Sequence, residues 1–160
     1  SIPVKIAKND AENILKKKKK GSQIMLDVEG TQYDVLIKEV DFDTLKRQPI
    51  EMDFQALVKG EKVHSVAEIV LHNKEMVTEG VLEQLLEEVS YKATPDAIVS
   101  KVDIDCSKLK LGDSVKVGDL DMAKDKNVDI HTPLDTTIVR VIASHNDVAD
   151  DEDEEASDEA

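Results

Sequence analysis

The chain has 160 residues, a formal net charge of −14 from 21 Lys and Arg against 35 Asp and Glu, two Phe, two Tyr, no Trp and one cysteine. An apolar content of 40% excludes a disordered chain but leaves only an aliphatic core of Val, Ile and Leu, and a lone Cys106 excludes an intrachain disulfide framework and a Cys-based zinc site. No apolar run approaches the roughly 20 residues that cross a bilayer and the first residues show no signal-peptide pattern, so a soluble cytoplasmic protein of one domain or two small ones is expected.

Ile2-Pro-Val-Lys-Ile6 alternates apolar with polar and predicts a short strand. Asn9 and Glu12 have the spacing of a capping box that opens a helix. Ala11, Ile14 and Leu15 give that helix a narrow apolar stripe, and Gly21 is placed to end it after Lys16–Lys20. Lysines in the last turns suit the negative end of the helix dipole. Ser22–Val28 and Thr31–Lys38 then read as a hairpin turning at Glu29-Gly30. A polar break is expected from Asp41 to Pro49. The following run puts Ile50, Met52, Phe54 and Ala56 on one face of a strand.

A turn at Lys59-Gly60-Glu61 opens the second region. Val63 and Val66–Leu71 read as strand. Gly80–Val89 reads as half turn, half strand. Ile98–Ile104 alternates as a strand, Leu109–Asp113 turns into Ser114–Val117, and Thr136–Ile142 closes the series. Short strands and frequent turns predict a mainly β protein with short helices. Its units are 1–58, 59–145 and an acidic tail, 146–160, that is expected to be disordered.

Charge follows the same division. Residues 1–54 are net neutral, residues 55–146 are net −5, and residues 147–160 hold nine acidic side chains and no basic one. Nucleic-acid binding at the N-terminal end therefore needs local Lys/Arg clustering.

No residue constellation supports an enzyme or a cofactor. There is no G-x-S-x-G, P-loop or G-x-G-x-x-G. Asp41/Asp43, Asp103/Asp105 and Asp119/Asp121 are i,i+2 pairs that share a strand face. Without the glycine and closing Glu of a calcium loop, solvated faces or turns explain them in so acidic a chain. His64, His72, His131 and His145 lack metal-ligand spacing, so no metal is expected. Cys106 has no nearby cation and reads as a small buried or half-buried apolar residue. Lys16–Lys20 is the one concentrated basic run. It reads equally as a phosphate-binding patch or a solvated helix end. No aromatic residue flanks it, so a folded RNA suits it better than a single strand.

The order of elements resembles a known family. Val35-Leu-Ile-Lys-Glu-Val40 followed by Glu51-Met-Asp-Phe54 is similar to a strand–loop–strand of bacterial large-subunit ribosomal protein twenty-five, the general stress protein Ctc family. In its long members a C-terminal β domain follows. Gly80–Val89 resembles the linker into that domain, Val102–Leu120 its central signature and Pro133–Val139 its closing strand. The resemblance covers residues 1–143.

It implies an N-terminal β barrel that binds 5S rRNA in the large ribosomal subunit, with no enzyme activity, cofactor, small-molecule substrate or membrane partner. The family's Arg/Lys-rich opening segment precedes the position of Ser1, so the barrel is expected to be incomplete at its start. Lys38 and Asp53 match the family pattern, and Lys46 and Arg47 lie in the loop. With Lys16, Lys17, Lys18, Lys19 and Lys20 they are the candidate RNA contacts. Asp41, Asp43 and Glu51 stand where the family commonly has basic or neutral residues, and their carboxylates oppose phosphate contact. The alternative reading is a stress-associated protein-interaction module of the same fold that has lost most RNA contacts.

Overall fold

The computed structural model describes residues 1–144. The expected disordered tail, and His145, lie outside them. The described chain is β-rich, with a single α-helix, ten strands and four short 3-10 turns.

Helix α1 spans Lys8–Lys17. The amides of Asp10 and Ala11 both donate to the Ala7 carbonyl at 3.0 Å, so Ala7 is the cap and Asn9 lies inside the helix. The expected capping box does not form. Ala11 is buried, while Ile14 and Leu15 are half-buried. The helix ends at Lys17, where the Lys18 amide donates to Ile14 at 2.8 Å. It stops short of Gly21 because a longer helix would stack lysines at i,i+4, a repulsive pairing. Residues 1–7 form no strand, since alternation alone supplies no ladder partner and none lies beside them among the described residues.

Strands β1 (Gln23–Val28), β2 (Thr31–Asp43) and β3 (Gln48–Ala56) form an antiparallel sheet in the order β1-β2-β3, the curved wall of a half-barrel. Glu29 and Gly30, at φ 52° and 85°, make the hairpin turn, and the Gly30 amide donates to Asp27 at 2.9 Å. The polar break predicted over 41–49 shrinks to a turn of four residues, Thr44–Arg47. There Asp43 Oδ1 accepts from the amides of Leu45 and Lys46 at 2.9 and 3.0 Å. Backbone pairing carries β2 and β3 through side chains that sequence polarity marks as loop. Val35, Leu36 and Ile37 are buried in succession, so β2 is covered on both faces at that point. Met52 and Phe54 are half-buried on β3, but Ile50 and Ala56 are exposed.

The second region has two sheets. Strands β4 (Val63–His72), β6 (Glu88–Ala93), β7 (Lys101–Asp105) and β9 (Val128–Ile130) pair in the order β7-β4-β6-β9, with β4 and β7 parallel. Strands β5 (Val81–Gln84), β8 (Ser114–Lys116) and β10 (Thr137–Ile142) pair in the order β5-β10-β8. Ala67, Ile69, Val89, Tyr91, Cys106, Val117, Ile138 and Val139 share one core between them. Gly80–Val89 divides into β5, a turn, and the start of β6, as half turn and half strand. Strand β7 begins later than the alternation from Ile98 suggests. The buried Tyr91 hydroxyl donates to the Val99 carbonyl at 2.6 Å and accepts from its amide at 2.8 Å, which holds that segment out of the ladder. The sequence reading missed β9.

The two regions meet at β4. Gly21 donates to Ile37 at 2.9 Å, at φ 83°, and packs against the Val66 carbonyl. Lys19 reaches Glu68 and Lys38 reaches the His64 carbonyl across the same junction.

Candidate nucleic-acid interface

The candidate RNA contacts fall into two groups. Lys46 and Arg47 are exposed at the tip of the β2–β3 hairpin, with Arg47 at φ 50°. Leu45 beside them is 95% exposed, and Phe42 at the base of the tip is 50% exposed. This ring and the partly exposed Tyr33 are accessible aromatic surfaces that the sequence reading did not anticipate, of the kind on which bases stack.

The lysine run is the second group. Lys16 and Lys17 end α1, and Lys18, Lys19 and Lys20 lie in the link to β1. All five are exposed. The run is not a uniform patch, because Lys19 Nζ binds both oxygens of Glu68 at 2.7 and 3.0 Å. Lys38 Nζ donates to the His64 carbonyl at 2.8 Å. Gly21 is tied to Ile37, so this group lies about 20 Å along β2 from the hairpin tip.

Acidic side chains separate the two groups. Glu39 stands opposite Asp53 and Asp41 opposite Glu51 in the β2–β3 register, and all four are exposed. Asp53, a candidate contact, thus belongs to a ladder of four carboxylates. Like charges directly opposite repel each other, and the ladder repels phosphates along this face. Asp43 is instead occupied by the turn amides of Leu45 and Lys46.

Between β2 and β4 lies a cleft of about 290 Å³, whose lining includes Lys20, Lys38, Glu39, His64, Ser65 and Ser90. The His64 ring stacks on His131 with centroids 4.7 Å apart. Loss of hydration holds His64 below its ordinary 6.5, and the charges of His131, Lys92 and Lys38 act in the same direction. The sequence reading did not single out Lys92. It stands directly opposite His64 in the β4–β6 register, a pairing across 28 residues that no local pattern reveals.

The remaining Asp-x-Asp carboxylates serve turns and pairs. Asp105 accepts from the Asn73 amide group and the Ser107 backbone, both at 2.9 Å. The first of these, then the second, holds its carboxyl at about 2. Asp103 meets His72 Nε2 at 2.8 Å, and Asp119 accepts from the Lys116 amide at 2.9 Å.

Residues 1–54 match the ribosomal L25p family, and residues 62–145 match the C-terminal domain of ribosomal protein TL5. The large ribosomal subunit protein bL25 of Thermoanaerobacter sp. (strain X514) is 27% identical over 145 residues, which are 89% of this chain and 71% of that protein. The bL25 of Dictyoglomus thermophilum is 29% identical over 150 residues, 89% of this chain and 72% of that protein. The bL25 of Geobacillus thermodenitrificans is 33% identical over 119 residues, 73% of this chain and 57% of that protein. Sheet, hairpin and matches together define a ribosomal structural protein, a class without enzyme activity. The chain belongs to the ribosomal L25p family, in the form that carries a TL5-type C-terminal domain.

Proposed function

We propose that this protein is a component of the large ribosomal subunit in the cytoplasm and that it binds 5S rRNA. Residues 1–58 form the RNA-binding unit and residues 59–145 an attached β domain. The relatives' names support the subunit, and the family resemblance supports the RNA. The observation that carries the reading is the β2–β3 hairpin tip. It presents Lys46 and Arg47 beside the exposed Phe42 on a strand pair joined by its own ladder. Lys46 and Arg47 neutralise phosphates and release counterions. Lys16, Lys17, Lys18 and Lys20 add a second basic contact along the strand, and Lys19 and Lys38 hold the junction. Asp53 and its neighbours accept from exocyclic base amino groups where the backbone phosphates are distant.

The four carboxylates on β2–β3 favour a second reading, a stress-associated module that works through proteins with basic surfaces. Co-sedimentation with large ribosomal subunits, followed by a salt titration of binding to 5S rRNA, separates the two. Retention on subunits with a salt-dependent RNA affinity supports the first. Absence from the subunits and no preference for 5S rRNA over tRNA would reject it.

A further inference from the structure

The cleft between β2 and β4 is positive in a chain of net charge −14. The reason lies in how its neighbours are paired. Glu68 on β4 is occupied by Lys19 through both oxygens. Asp129 on β9 is occupied by Lys62 at 2.7 Å. Lys20 from the α1–β1 link and Lys92 on β6 enter no ion pair among the described residues, and Lys38 on β2 donates only to a carbonyl. Glu39 is the one unpaired carboxylate in the lining. Lys20 and Lys38 thus line a space walled by His64 and Ser90, against the single carboxylate of Glu39, while His131 stacks on His64 and Lys92 stands between His64 and Asp129 in the β4-β6-β9 register.

We propose that this cleft is a phosphate-binding site, with Lys20 and Lys38 on one wall and His64, backed by Lys92 and His131, on the other. A tetrahedral phosphate group, as ester, diester or free anion, offers acceptor oxygens to the Lys20 and Lys38 ammonium groups and to the His64 ring N–H at once. A volume of about 290 Å³ admits that group with a sugar attached. The Lys38–His64 carbonyl bond fixes the two walls relative to each other, so the site is held open by the junction.

The stacked histidines supply a readout. Without an anion, loss of hydration and the charges of His131, Lys92 and Lys38 disfavour protonation of His64, with Glu39 in the lining and Asp129 opposite Lys92 as groups of opposite sign. A bound phosphate stabilises the His64 imidazolium against those charges and changes the surroundings of the ring stacked on it. The site does not depend on the proposed RNA function, because its ligand group occurs in RNA backbones and in free phosphate esters alike.

The test follows the histidine ring signals of the full chain by NMR in phosphate-free buffer at pH 6, with inorganic phosphate as titrant and sodium chloride at equal ionic strength as reference. Saturating shifts of His64 and His131, with His72 unmoved, are expected. Lys92→Gln and, separately, Lys20→Gln should each weaken binding about tenfold, while Lys124→Gln should not. The amide spectra of the variants verify the fold. A linear response equal to that of sodium chloride, or a response unchanged in both Lys92→Gln and Lys20→Gln, overturns the proposal. Adding 5S rRNA to the phosphate-saturated protein identifies the source. Displacement of phosphate assigns the site to the RNA backbone, and binding without displacement assigns it to a free phosphate ester. A protein that saturates with phosphate but does not bind 5S rRNA keeps this site and loses only the RNA function.

Discussion

Gly21 lies so close to the Val66 carbonyl that a Cβ at this position would collide with it, at a backbone φ of 83°. The N-terminal half-barrel is seated on β4 by this backbone contact. The Lys19–Glu68 pair and the Lys38–His64 bond flank it. Gly30 has almost the same φ, 85°, with nothing within 4 Å of its Cβ position. The two glycines therefore separate backbone strain from crowding.

Gly30→Ala should cost about 1 kcal/mol, the left-handed strain alone. Gly21→Ala should cost about 3 kcal/mol, because the backbone of Val66 must also move. Chemical denaturation of both variants measures the difference. Equal costs would mean that the half-barrel shifts freely on β4.

Lys46→Ala with Arg47→Ala should weaken 5S rRNA binding and reduce the salt slope by about 2. Lys19→Ala should change the slope less, because its ammonium is shared with Glu68. Lys124→Ala with Lys126→Ala should leave binding unchanged. A salt titration of the four proteins checks this ranking, and an unaltered slope in the first variant would remove the hairpin tip from the interface.

Asp41 and Glu51 stand opposite each other and exposed. Asp41→Asn with Glu51→Gln should stabilise the fold by about 0.2–1 kcal/mol through loss of like-charge repulsion. The same variant should bind RNA more tightly if phosphates pass this face, and more weakly if the carboxylates receive base amino groups. Urea denaturation and RNA titration of the double variant give both values.

Asp105 is held at about 2 by Asn73 and Ser107, below its ordinary 3.8. Its folded value is the lower one, so its contribution to stability is full above about pH 4 and is lost as pH falls towards 2. Asp105→Asn should flatten the acid limb of the stability profile between those values and leave its slope near neutral pH unchanged. Unfolding free energies measured from pH 2 to 7 test this.

Cys106 is fully buried in the core beside Ile104, and burial, then Asp105, pushes its thiol up from 9.0. It should resist maleimide in the native state and react once urea unfolds the chain. Cys106→Ser should cost about 1–2 kcal/mol and leave RNA affinity unchanged. Rapid native labelling would show that the core opens locally.

The sequence by itself determined the mainly β class, the Glu29-Gly30 hairpin, the second-region turns, the burial of Cys106 and the family, since alternation, turn chemistry and motif order are local properties. Only the tertiary structure decided where β2 and β3 end, because ladder partners extend a strand through polar residues such as Asp41 and Asp43. It also decided that Ile2–Ile6 forms no strand, for want of a partner. Above all it decided which charges stand together. Lys19 finds Glu68 across 49 positions, Lys62 finds Asp129 across 67, and the pairing of β4 with β6 sets Lys92 beside His64. Charges act through space, so a run of lysines in sequence is divided by the fold while cations far apart in the chain are brought to one cleft.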